Sequence, residues 1–152
     1  IISGFVGDHF GQKDKKYYML IPAVAFLAAC PTGAAVYMVD SLFFALLIYA
    51  VPVFLVNLYT GPTFGMTQTL APLSMRAAAS ALLLFIINFI GLVFGPTAVG
   101  VISDALQISM AMNDVESLRW SLLSCNFVYL LSFLFYFLAS RTLESDLNKT
   151  AP

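Results

Sequence analysis

Charged residues leave four long gaps in this chain, from Lys16 to Asp40, Asp40 to Arg76, Arg76 to Asp104, and Arg119 to Arg141. Each gap exceeds about 20 residues, the length at which an α-helix crosses a hydrocarbon core of roughly 30 Å. Burying four such helices inside a soluble fold requires a large polar shell. With 61% hydrophobic residues against 10% charged, the 152-residue chain has no material for one. The expected fold class is therefore an all-α membrane protein with four complete transmembrane helices.

The gaps predict spans over Tyr17–Val39, Leu42 to about Leu70, Ala77–Ser103 and Leu118–Ser140. Residues 1–16 then form the end of a preceding helix and a loop, and residues 141–152 form a tail. Pro52, Gly61 and Pro62 fall inside the second gap, which predicts a bent or partly unwound helix there. Such breaks are tolerated in a bilayer where neighbouring helices or a wet cavity satisfy the freed carbonyls. Between the third and fourth spans, residues 108–116 fit either a short interfacial helix or an irregular loop.

Six basic residues, Lys13, Lys15, Lys16, Arg76, Arg141 and Lys149, fall on one side of the four-helix zigzag, and only Arg119 falls on the other. The positive-inside rule assigns the first segment, the Arg76 loop and the C-terminus to the cytoplasm of a cell that carries the chain in its plasma or bacterial inner membrane. Tyr17, Tyr18 and Trp120 stand at predicted boundaries, the level amphipathic rings prefer. Cys30 and Cys125 lie within spans, and neither they nor His9 has the spacing of a metal site, so no cofactor or metal is expected. A membrane enzyme needs a nucleophile, an acid–base pair or a metal cluster, and the sequence displays none. A net charge of −1 with basic residues confined to membrane edges disfavours nucleic acid as a partner.

The most specific motif is Gly4-Phe-Val-Gly-Asp8-His-Phe-Gly11-Gln-Lys13, at a helix end and in the turn that follows. Glycines allow helix ends to approach closely, and the basic residues that follow suit an anionic inner leaflet. Gly4, Asp8, Gly11 and Lys13 resemble the loop signature of the major facilitator superfamily, with His9 where an arginine is usual and Gln12 in place of a basic residue. In that family the signature lies between helices two and three and, more weakly, between eight and nine. Four spans after the motif fit the second location, so the resemblance implies the end of helix eight plus helices nine to twelve of a twelve-helix transporter. The C-terminal six-helix bundle would be completed by upstream helices, and the missing N-terminal helices would be partners of this chain. Residues 70–106, with Leu-Ala-Pro72-Leu-Ser-Met-Arg76, Gly91-Leu-Val-Phe-Gly95-Pro96 and Gly100-Val-Ile-Ser-Asp104, loosely resemble the Spinster-like branch.

The resemblance implies secondary transport of a small organic solute by alternating access. A channel subunit or a non-transporting scaffold is the alternative reading of the same spans. Family membership further implies that Asp8 meets a helix start in the other bundle, and that the helix start at Arg76 receives an aspartate from it. Read by residue chemistry alone, Asn57, Asn88 and Asn126 lie deep in the second, third and fourth spans, with Tyr59, Thr67 and Gln68 nearer one end of the second. Each amide needs a partner, either a hydrogen bond to another helix or a water-filled substrate pathway. Because helices ten and eleven approach the family's central pathway, Asn57 and Asn88, with Tyr59 and Gln68, are the expected substrate contacts. Gly91 and Gly95 form a small-x-x-x-small pair suited to helix packing. No Asp, Glu, Lys, Arg or His lies deep in a predicted span, so the spans carry no buried carboxylate for proton coupling and no charge for gripping an ion.

Overall fold

The computed structural model describes residues 15–150, with side chains as far as residue 143. Those residues form helices joined by short connections and contain no strand. In chain order the helices are α1 (Tyr17–Met38), α2 (Leu42–Asn57), α3 (Thr60–Leu70), α4 (Arg76–Phe89), α5 (Gly95–Met110), α6 (Asp114–Asn126) and α7 (Val128–Thr150). A 3-10 turn at Leu73–Met75 leads into α4, and a π-helical segment at Ile90–Phe94 joins α4 to α5. Taken together they make four helical runs long and apolar enough to cross a membrane: Tyr17–Met38, Leu42–Leu70, Leu73–Met110 and Asp114–Leu143.

The first run is the centre of the packing, touching α2 and α3 on one side and α6 and α7 on the other. Its inward face is made of small or flat residues: Pro22, Ala23, Phe26, Ala29 and Gly33 are all buried. In lipid no hydrophobic force separates helix from solvent, so close backbone approach over such residues is what makes association favourable. Met19, Phe26 and Gly33 step by seven along the first run, and their neighbours Leu143, Tyr136 and Tyr129 step by seven down the fourth. That spacing is the register of an antiparallel helix pair with a left-handed twist. Its far end is closed by an ion pair, with the Arg119 guanidinium 2.7 Å from Asp40 Oδ1. Because the Asp40 side chain is 88% exposed, this pair contributes little to stability.

The second run breaks as the sequence predicts. Pro62 has no N–H to return to Leu58, and the preceding turn tightens to shorter bonds, Leu58 N–H to Leu55 O at 3.1 Å and Tyr59 N–H to Val56 O at 3.4 Å. The Thr60 hydroxyl, 2.7 Å away, donates to the Asn57 carbonyl. The π-helical segment of the third run was not anticipated from sequence. Its cause is of the same kind, because Pro96 cannot donate to the carbonyl four residues back, at Leu92.

The third run also extends further than the charge gap implied. Its 38 residues make a rod of about 57 Å at 1.5 Å per residue, longer than the roughly 40–45 Å of a whole bilayer. Asp104 therefore stands on the continuing helix α5 and ends nothing. The stretch from 108 to 116 is neither an interfacial helix nor an irregular loop. Ile108–Met110 finish α5, residues 111–113 turn, and α6 starts at Asp114. Asn113 caps α6 by accepting the Glu116 N–H at 2.8 Å, and Ala111 takes a left-handed conformation with φ 49°. That conformation costs an L-residue roughly 1–2 kcal/mol. Ala111→Gly is accordingly expected to stabilise the protein by about 1 kcal/mol, and Asn113→Ala to destabilise it by about 1 kcal/mol. Unfolding midpoints in detergent, followed by far-ultraviolet circular dichroism, would check both signs.

Among the described residues, the side-chain hydrogen bonds from the third run to the rest of the bundle lie at its ends. At one end Gln68 Nε2 lies 3.2 Å from Ser80 Oγ. At the other, Ser117 Oγ takes a hydrogen bond from Gln107 Nε2 at 3.0 Å and pairs with Ser103 Oγ at 3.1 Å. Between them, no residue from 77 to 102 is buried.

Candidate functional site

A half-open cavity of about 260 Å³ lies between the first run, α2 and the start of α7. Its polar groups are Tyr37, Tyr49, Tyr129 and Asn57, and its floor is the bare backbone at Gly33. Pro52, Val53 and Val56 form the apolar wall. No charged side chain lines it. Two helix irregularities border the cavity. Asn57 is the last residue of α2, at the break before α3, and Tyr129 follows the single-residue interruption at Phe127 that separates α6 from α7.

Two neighbouring contacts hold this geometry. Asn126 Nδ2 donates to the Cys30 carbonyl at 2.7 Å, joining α6 to α1. A Cβ placed on Gly33 would sit 2.5 Å from Asn126 Oδ1, so the absence of a side chain at residue 33 is what lets the two helices meet. Below them, the Phe26 ring lies 5.6 to 6.2 Å from the rings of Tyr136, Tyr59 and Tyr129. Tyr136 shares a hydrogen bond of 2.7 Å with Thr63, which ties α3 to α7. Tyr136→Phe or Thr63→Val should each cost about 0.6–1.7 kcal/mol, the range of interhelical hydrogen bonds in lipid, and the double variant should cost no more than the larger single change. An unfolding cycle in mixed micelles reads that coupling directly.

The three asparagines take different roles. Asn126 makes the interhelical bond just described, and Asn57 lines the cavity with its Nδ2 turned back to Val53 O at 2.8 Å. Asn88 bonds its own helix at Leu84 O, 2.8 Å away, and is exposed on α4 away from the cavity. Tyr59 belongs to the ring cluster, and Gln68 to the hairpin contact with Ser80. Thus Asn57 and Asn88 are not brought together by this chain. Arg76 opens α4, exposed, with its Nε 3.4 Å from Ala71 O, and the helix start has no side-chain cap. Nothing in the described chain approaches within 4 Å of a Cβ built on Gly91 or Gly95, so the pair offers an open face. Gly4, Asp8, Gly11 and Lys13 lie outside the described residues.

Sequence reasoning passed over Gly33, Tyr37, Tyr49 and Tyr129. A signal was present for the tyrosines: Tyr49 and Tyr129 fall inside apolar runs, away from the boundary where tyrosine is ordinary, and a phenol placed there needs a polar partner. Among the described residues no cluster of His, Cys, Asp or Glu has the arrangement to hold a metal ion, and both cysteines are free thiols. No protein-family model matches the chain, and no curated protein matches it either.

Proposed function

We propose that this chain is part of a secondary carrier that moves a small organic solute across a membrane by alternating access. The observation that carries the reading is the cavity at the broken helices. Carriers build their sites where membrane helices are interrupted, because the loosened backbone and nearby polar groups can face a solute while intact helices face lipid. Here an uncharged polar cavity abuts the break at Leu58–Tyr59 and the interruption at Phe127. The loop motif with Gly4, Asp8, Gly11 and Lys13 supports the same class through its resemblance to the major facilitator superfamily.

The third run supports a second bundle as partner. It crosses without a buried residue between 77 and 102, and its open face carries Asn88, Gly91 and Gly95. Amides and glycines on a lipid face are costly or idle, whereas against another bundle they pack or line a path. In this reading the basic residues face the cytoplasm, and Asp8 and Arg76 take the gating roles implied by the resemblance.

Flux into vesicles tests the proposal. A carrier gives saturable uptake when the chain is part of its complete protein, and the chain of residues 1–152 by itself gives none, because one bundle has nothing to move against. Linear, unsaturable flux would establish a pore. Saturable transport by the four-span chain alone would sink the two-bundle reading.

A further inference from the structure

We infer that the cavity between the first run, α2 and α7 binds a small uncharged polyhydroxyl solute, a compound of the polyol or simple sugar class. This deepens the carrier reading and rests on it for what becomes of the bound solute.

The hydrogen-bond inventory motivates the assignment. The hydroxyls of Tyr37, Tyr49 and Tyr129 make no hydrogen bond to any described residue, although all three line one cavity. Asn57 uses its Nδ2 on Val53 O, which leaves its carboxamide oxygen as an acceptor at the same cavity. The phenols can each donate and accept, and the amide oxygen only accepts. No buried polar side-chain atom among the described residues lacks a partner, so these groups open onto the cavity, and an occupant that displaces water from it must offer several donors and acceptors within a small volume.

Hydroxyl groups on adjacent carbons match that requirement, since each both donates and accepts. A carboxylate or phosphate does not, because the lining supplies no cation to offset its desolvation. A quaternary ammonium is drawn to aromatic rings, but its charged group offers no hydrogen bond to the phenols or to Asn57, choline adds only a single hydroxyl, and no carboxylate lines the cavity to balance the charge. Size sets the upper limit. About 260 Å³ lies below the roughly 300 Å³ at which drug-sized sites begin.

The test is ligand-observed NMR on the full-length protein in lipid nanodiscs, with erythritol, choline and acetate as separate probes. Erythritol is expected to bind saturably, and choline and acetate are not. Tyr37→Phe, Tyr49→Phe and Tyr129→Phe each keep the ring and remove one hydroxyl, so each should weaken erythritol binding by about 2- to 10-fold. Preferential choline binding, or wild-type erythritol affinity in a triple Phe variant that folds normally, would overturn the assignment. Vesicle flux separates it from the wider reading. Erythritol binding with unsaturable flux keeps the site and defeats the carrier, while saturable flux of another solute without erythritol binding keeps the carrier and defeats the site.

Discussion

Gly33→Leu is expected to cost about 2–4 kcal/mol and to separate the first run from the fourth, the largest stability effect of any single change considered. A Cβ at this position would meet Asn126 Oδ1 at 2.5 Å and both Asn126 Cγ and Tyr129 Cε2 at 3.5 Å. Rotating Asn126 away is the cheapest relief. It surrenders the 2.7 Å bond from Nδ2 to Cys30 O, and that bond is one of the few direct polar links between these helices. Overpacking costs about 1–3 kcal/mol and the lost interhelical hydrogen bond about 0.6–1.7 kcal/mol, and their sum brackets the stated range. Gly33→Ala should fall below it. Adding Asn126→Ala to Gly33→Ala should cost less than the two single changes summed, because the clash and the bond involve the same amide. Detergent unfolding of the four variants decides the matter: wild-type stability in Gly33→Leu, or strict additivity in the cycle, would show that the helices do not meet at Gly33.

The contrast between Gly33 and the Gly91–Gly95 pair shows where sequence reading succeeds and where it stops. Charge gaps marked all four runs, because excluding charge from hydrocarbon is a property of the chain against its solvent and needs no knowledge of neighbours. The break in the second run was legible for the same reason, since Pro62 removes a donor whatever surrounds it. Glycine pairing is different. Gly91 and Gly95 have the spacing of a packing motif, yet no described residue of another helix lies near them, while Gly33 has no glycine partner and sits directly against Asn126 of the neighbouring helix. Spacing says that a face is smooth, and only the fold says what is laid against it.

The amides divide along the same line. Asn57, Asn88 and Asn126 look alike in sequence, each deep in an apolar stretch. Each satisfies its Nδ2, but two bond their own helix at the residue four before and one reaches a neighbouring helix. A self-bonded amide keeps its oxygen free for whatever the face meets. For Asn57 that is the cavity, and for Asn88 it is the open side of the third run. The tyrosines were overlooked because they come from three different helices, and only their convergence makes them a site.

Whether that cavity holds water can be decided without knowing the solute. In a Cys30→Ala, Cys125→Ala background, a cysteine at residue 57 is expected to react rapidly with a water-soluble thiol reagent. The background is mild, because Asn126 bonds the carbonyl of residue 30, which alanine retains. Val51→Cys, on the same helix, 47% exposed and turned about 120° around it from Asn57, should react slowly, since a thiol in hydrocarbon neither ionises nor meets the reagent. Adding Val56→Trp to the residue 57 cysteine should then slow labelling by about 5- to 150-fold. An indole placed on the cavity wall competes for the same 260 Å³ at an overpacking cost of about 1–3 kcal/mol. The same substitution should suppress saturable uptake in the full-length protein while expression persists. Equal labelling of residues 51 and 57 would mean that the cavity is closed to water. The carrier reading would then lose the observation it stands on, and the break at Leu58–Tyr59 would be only a kink that Pro62 imposes on a helix in lipid.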